Sequence, residues 1–96
     1  MTYYNGDYVN DFKHGYGEYM WVSGNLYTGE YKFDKRHGYG VMKWKDGTVY
    51  EGYWQSGVQH GYGKMIYPSG EEKEGMFEVG EFKFGGSKEV IENVLT

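Results

Sequence analysis

Residues 27–49 read YTGEYKFDKRHGYGVMKWKDGTV, and the same frame lies on both sides of them. A step of 23 residues from Tyr27 lands on Tyr4 upstream and Tyr50 downstream, and a further step reaches Lys73. Two residues on stand Gly6, Gly29, Gly52 and Gly75, and two beyond those Tyr8, Tyr31, Trp54 and Phe77. The run His37-Gly38-Tyr39-Gly40 repeats His14-Gly15-Tyr16-Gly17 and returns as His60-Gly61-Tyr62-Gly63. After it come Tyr19, Met42 and Met65, then Trp21, Trp44 and Tyr67, then Gly24, Gly47 and Gly70. A fixed period of this length marks a chain built from repeated supersecondary units.

Each unit holds two segments that alternate with period two: Tyr-x-Gly-x-aromatic, and Gly-x-Gly-x-(Tyr/Met)-x-(Trp/Tyr). Both are strand patterns. Ser23-Gly24-Asn25, Asp46-Gly47 and Ser69-Gly70 carry tight-turn residues between units, and within a unit residues such as Asn10 to His14 read as a longer loop. The expected fold is all-β: a single-layer, twisted antiparallel meander of tandem hairpins with about seven strands, roughly 30 Å long at ~4.8 Å per strand. The expected array covers residues 1–86, with copies at 4–26, 27–49 and 50–72 and a partial copy at 73–86. The partial copy should add one strand before a short C-terminal helix or cap over 87–96.

Parity puts Tyr4, Gly6, Tyr8, Gly15, Gly17, Tyr19 and Trp21 on one face and Asn5, Asp7, Val9, Tyr16, Glu18 and Met20 on the other. Glycines in strands admit rings across the backbone and let a sheet curl, so the aromatic face is expected to be concave. A single sheet leaves that face uncovered. Tyr8, Tyr19, Trp21, Tyr31, Met42, Trp44, Trp54, Met65, Tyr67 and Phe77 would then form an apolar patch of the kind that marks a binding surface, while Tyr4, Tyr27 and Tyr50 read as packing residues.

These columns resemble the membrane occupation and recognition nexus (MORN) repeat, Y-x-G-x-aromatic-x-x-G-x-x-H-G-x-G-x-aromatic-x-aromatic-x-x-G. The family's loop glycine is replaced by Asp11 and Asp34 and returns as Gly57 and Gly80. Asp still reaches the left-handed region that such a loop needs. The fourth copy reads Lys83-Phe84-Gly85-Gly86 where His-Gly-Tyr-Gly belongs. The resemblance implies a scaffold or protein-binding groove, sometimes with phospholipid binding, and repeats that also occur beside enzyme domains.

Composition agrees with many short turned strands: 17 Gly and 12 Tyr against a single Pro. Cys is absent, which excludes disulfides and thiolate metal sites. No apolar run approaches a bilayer span and no h-region opens the chain; a cytoplasmic chain, associated with the cytoskeleton or a membrane surface, is the expectation. The net charge of −4 comes from the second half, since residues 1–49 carry six basic and six acidic groups. Nucleic acid is therefore not an expected partner. One basic cluster, Lys32, Lys35, Arg36, Lys43 and Lys45, offers contacts to anionic lipid head groups, diluted by Glu30, Asp34 and Asp46.

Chemistry finds little footing. His14, His37 and His60 would sit two strands apart, roughly 9–10 Å, too far to share a metal ion; closing the loop by hydrogen bonding is their expected role. The Gly61-Tyr62-Gly63-Lys64 run lacks both the spacing and the helix of a phosphate loop. No cofactor, metal or catalytic group is expected, and the chain reads as no enzyme. Its expected partner is an amphipathic helix, or another copy of the chain, lying in the aromatic groove. A peripheral membrane module binding anionic phospholipids is the alternative, and a sugar-binding repeat a more distant one. In the tail, Ser87 suits an N-cap and Glu89 the first turn. Val90, Ile91, Val94 and Leu95 form one stripe. That helix is expected to close the end of the sheet or to lie in a groove.

Overall fold

The computed structural model describes residues 2–95. Eight strands follow one another: β1 (Tyr3–Val9), β2 (Phe12–Met20), β3 (Leu26–Lys32), β4 (Lys35–Lys43), β5 (Val49–Gln55), β6 (Val58–Ile66), β7 (Glu72–Glu78) and β8 (Glu81–Gly85). A helix, α1 (Lys88–Leu95), ends the described chain. The strands form one antiparallel sheet in sequence order, β1 to β8. The fourth unit thus adds two strands rather than one. Val79 and Gly80, both at positive φ (50° and 81°), give it a sound two-residue turn, and Phe77 pairs with Phe82 across it.

The expected lengths of the two connections are exchanged. Within a unit the turn is tight: Asn10-Asp11 (φ 50° and 70°), Phe33-Asp34 (49° and 70°) and Ser56-Gly57 (50° and 89°) have the two left-handed residues of a type I′ turn, whose twist matches that of the strands it joins. Phe12 to His14, read as loop, are strand. Between units the link is longer. Trp21 donates its N–H to Asn25 O at 3.0 Å and Gly24 donates to Trp21 O at 2.9 Å, a closure repeated at Trp44 and Tyr67.

The His-Gly-Tyr run is a bulge. Gly29 pairs with Gly40 and Tyr31 with Arg36, so β3 advances two residues while β4 advances four. The same slip occurs between Gly6↔Gly17 and Tyr8↔Lys13 and between Gly52↔Gly63 and Trp54↔Gln59. The extra residues turn on Gly15, Gly38 and Gly61, at φ 88°, 79° and 96°, where a side chain would be strained. Lacking that run, the last hairpin slips at Lys83 by one residue, with Gly75 opposite Gly85.

Successive units are stitched at the turn tips. Asp34 N–H donates to Lys13 O (2.9 Å), Gly57 N–H to Arg36 O (2.9 Å) and Gly80 N–H to Gln59 O (3.1 Å). The sheet stays open. The molecule measures 37 × 33 × 17 Å. No helix among the described residues is long and apolar enough to cross a membrane.

Candidate functional site

Alternation along the strands places Tyr4, Tyr27 and Tyr50 on one face, each lying over a facing pair of glycines. A Cβ on Gly52 would meet the Tyr50 hydroxyl at 2.8 Å and the backbone of Gly63. The hydroxyls have a definite task. Tyr4 donates to Asp7 O (2.9 Å), Tyr27 to Glu30 O (2.8 Å) and Tyr50 to Tyr53 O (3.0 Å). These acceptors face the bulge, where the ladder is interrupted and a carbonyl needs another partner.

From these tyrosines a continuous line of rings runs along the array. Edge-to-face contacts link Tyr8–Tyr4 (5.1 Å), Tyr4–Tyr31 (5.4 Å), Tyr31–Tyr27 (5.2 Å) and Tyr27–Trp54 (5.5 Å). The line continues through Trp54–Tyr50 (5.3 Å), Tyr50–Phe77 (5.0 Å) and Phe77–Phe82 (5.4 Å). This geometry sets the positive ring edge against the negative face. It also resolves how one layer makes a core: the buried rings are covered by rings of neighbouring units. Tyr31, Met42, Trp54 and Phe77, expected to line an open groove, are consequently buried together with Tyr27 and Tyr50. Burial holds the Tyr27, Tyr31 and Tyr50 phenols above their ordinary pKa.

The other expected groove residues remain partly open. Tyr19, Trp21, Trp44 and Met65 pack against the core from its margin, Tyr67 is half-buried and Tyr8 is exposed. A shallow cavity of about 480 Å³ lies among Asn25, Trp44, Gln59, Met65 and Tyr67. Cations lie over this face. Lys13 Nζ is 5.5 Å from the centroids of Tyr4 and Tyr19. The Arg36 guanidinium is 5.0 Å from the Trp54 ring and 5.8 Å from Trp21, and Lys73 Nζ is 5.6 Å from Phe82. By alternation the strand carboxylates Asp7, Glu18, Glu30, Glu51, Glu72, Glu74, Glu78 and Glu81 all fall on the opposite face. The chain is acidic overall, yet among the described strand residues its ring face carries only cations.

The basic cluster expected to meet lipid does not assemble. Arg36 leaves it for the ring face, where it also donates to Gly57 O at 2.7 Å. Lys32 and Lys35 flank the Phe33-Asp34 turn, whereas Lys43 ends the same strand as Lys35, about 26 Å away at ~3.3 Å per residue, with Lys45 just beyond. The histidines do not close the loops by hydrogen bonding as expected. In the first unit His14 Nδ1 is buried without a hydrogen-bond partner and its ring lies 5.3 Å from that of Phe33. Carboxylates close the bulge instead. Tyr16 N–H donates to Asp7 Oδ2 (3.3 Å) and Tyr39 N–H to Glu30 Oε2 (2.6 Å). Among the described residues, no three His, Cys, Asp or Glu side chains gather as metal ligands would.

In the third unit the equivalent of Asp7 and Glu30 is Tyr53, and α1 docks there. Ser87 caps the helix, accepting the Val90 N–H at 3.3 Å through Oγ and the Ile91 N–H at 3.0 Å through its carbonyl. Lys88 Nζ stands 5.8 Å from the Tyr53 ring, and Ile91 and Met76 are buried. Since Tyr53, Tyr62 and Met76 alternate with Trp54, Gly63 and Phe77, the helix lies on the face opposite the rings, across β6 and β7. It occupies neither the ring face nor the outer edge of β8, and Val90, Val94 and Leu95 stay half-exposed. On the same face, Tyr62 donates to Glu74 Oε2 at 2.6 Å, a bond that pushes its phenol pKa up to about 12. Nothing in the sequence marked this docking place except the aromatic at position 53 where two earlier units have an acid.

The MORN repeat family model matches the chain three times, at residues 4–26, 27–49 and 50–72. Among curated proteins no sequence matches it.

Proposed function

The chain belongs to the MORN repeat family, and from that premise we propose that it is a binding and scaffold module whose ring face seats an amphipathic helix of another protein. Repeats of this family are non-enzymatic modules that interact with proteins or membranes. The observation that carries the reading is a spacing. The half-open rings Trp21, Trp44 and Tyr67 recur once per unit, every second strand, at roughly 9–10 Å. An α-helix repeats its apolar face every seven residues, about 10.5 Å. A helix laid across the strands therefore meets one ring per heptad, with Tyr19 and Met65 beside it. The charge of the face gives the occupant its sign. Lys13 is already paired with Asp34 at 3.6 Å, but Arg36 and Lys73, with no strand carboxylate beside them on this face, favour a helix carrying acidic flanks.

The test is titration of the chain with three helical peptides of equal apolar pattern, having acidic, basic or scrambled flanks. The acidic peptide is expected to bind most tightly, and Trp44→Ala or Tyr67→Ala to weaken it about tenfold or more without changing the β-type circular dichroism. Equal binding of acidic and basic peptides, or an unaltered affinity in Trp44→Ala, would overturn the proposal. Trp54 is unsuited to this test because it belongs to the core.

A further inference from the structure

The first strand holds an anomaly of exposure. Tyr31, Trp54 and Phe77 are 6%, 4% and 2% exposed, and their counterpart Tyr8 is 57% exposed. Each buried member is covered by a ring of the preceding unit, and among the described residues no strand lies on the outer side of β1. The outer side is also ready to pair. The two-residue turn closes on Val9↔Phe12, so the backbone groups of Val9, Asp7, Asn5 and Tyr3 point to β2, and those of Tyr4, Gly6 and Tyr8 point away. The equivalent edge of β3 pairs Tyr27, Gly29 and Tyr31 with Tyr19, Gly17 and Gly15 of β2.

Two edges end the sheet, and they differ. The five-residue β8 carries a bulge at Lys83 and an ion pair between Lys83 and Glu81 at 3.1 Å, which are devices that discourage edge pairing. The seven residues of β1, Tyr-Tyr-Asn-Gly-Asp-Tyr-Val, include no Pro, Lys or Arg and hold one charge, Asp7. Their centre is palindromic. Laid antiparallel on itself about Gly6, the strand sets Tyr4 opposite Tyr8 of a second copy, Gly6 opposite Gly6, and the Asn5 amide opposite the Asp7 carboxylate.

We propose that β1 is a self-recognition edge through which two copies of the chain join about a twofold axis at Gly6. The pairing makes about six backbone hydrogen bonds from the outward groups of Tyr4, Gly6 and Tyr8. It continues the glycine pairs of the array, keeps both ring faces on one side of the joined sheet, and brings Tyr4 of one copy over Tyr8 of the other. Being isologous, it closes at the dimer. It uses no residue of the Trp21–Trp44–Tyr67 row, so it stands whether or not that row binds a helix.

The test is light-scattering mass of the 96-residue chain across a concentration series, with amide hydrogen exchange at both ends of the series. A monomer–dimer equilibrium is expected, with exchange at Tyr4, Gly6 and Tyr8 slowing as the dimer forms. Asn5→Asp sets like charges together at both symmetry-related contacts and should weaken the dimer. Asn5→Lys should strengthen it. The shift expected is roughly two- to thirtyfold in Kd, with the melting temperature of the dilute monomer unchanged in both. A chain that stays monomeric, a mass that grows beyond the dimer, a dimer whose β1 amides exchange as in the monomer, or one blind to both substitutions would each overturn the proposal.

Discussion

Tyr27 has lost all contact with water, and its hydroxyl still finds a hydrogen-bond acceptor in its own strand, the Glu30 carbonyl at 2.8 Å. That pairing lets a polar phenol serve as a core residue, and Tyr50 does the same one unit on. Burial raises the pKa of Tyr27, Tyr31 and Tyr50 above the ordinary 10.0. A phenol raised on folding supports the fold fully below that ordinary value, and the support is lost as pH climbs through the folded one. In an alkaline titration the exposed tyrosines are therefore expected to ionise first. The three buried ones should ionise only with loss of the β-type circular dichroism, above about pH 10. Ionisation of all twelve tyrosines in one step with the spectrum intact would contradict this. The packing role of Tyr4, Tyr27 and Tyr50 was legible in the sequence from their glycine partners. That of Tyr31, Met42, Trp54 and Phe77 was not, because a single sheet suggests an uncovered face, and only the edge-to-face line reveals that rings from neighbouring units cover one another. Arg36 was misplaced for a related reason: closeness to Lys35 in sequence says nothing about which face each occupies.

Among the elements, the strands were readable and their connections were not. Phe33-Asp34 contains no glycine yet forms the tighter turn, and Phe33 accepts φ 49° there while its ring packs against Phe12 and His14. Ser23-Gly24-Asn25 has ideal composition for a tight hairpin, but Trp21 and Asn25 close a wider link. Residue types name the left-handed positions more readily than they name loop length. The helix shows the same division. Its extent and its Ser87 cap followed from sequence, and its seat over Met76 and Tyr53 did not, since an amphipathic stripe specifies an apolar surface without saying which. Ile91 is the only residue of α1 that is fully buried, so docking should hang on it. Ile91→Ala is expected to cost about 2–5 kcal/mol and Ser87→Ala about 1 kcal/mol. Hydrogen exchange should then show α1 and β7 opening more often while β3 and β4 keep their protection. Equal loss of protection throughout the sheet would mean that the helix supports the whole array and not its last units alone.

Over the whole molecule, α1 apart, packing runs between adjacent strands and between adjacent units, so stability is a sum of units and of the joints between them. The ring line and the turn-tip bonds at Asp34, Gly57 and Gly80 are those joints, and each repeats the one before. This arrangement has a mechanical consequence. The strands follow one another across the sheet, so a pull applied at β1 and α1 runs across the strands, and the hydrogen-bonded ladders part rung by rung instead of shearing together. In an optical trap the chain is expected to lengthen in successive steps, each releasing one matched segment such as 27–49, about 80 Å of extended backbone. A single rip of the entire array would refute this. A strap that yields one unit at a time can take up slack between two attached bodies without losing its grip on either, with the remaining units still folded and ready to rewind when the load falls.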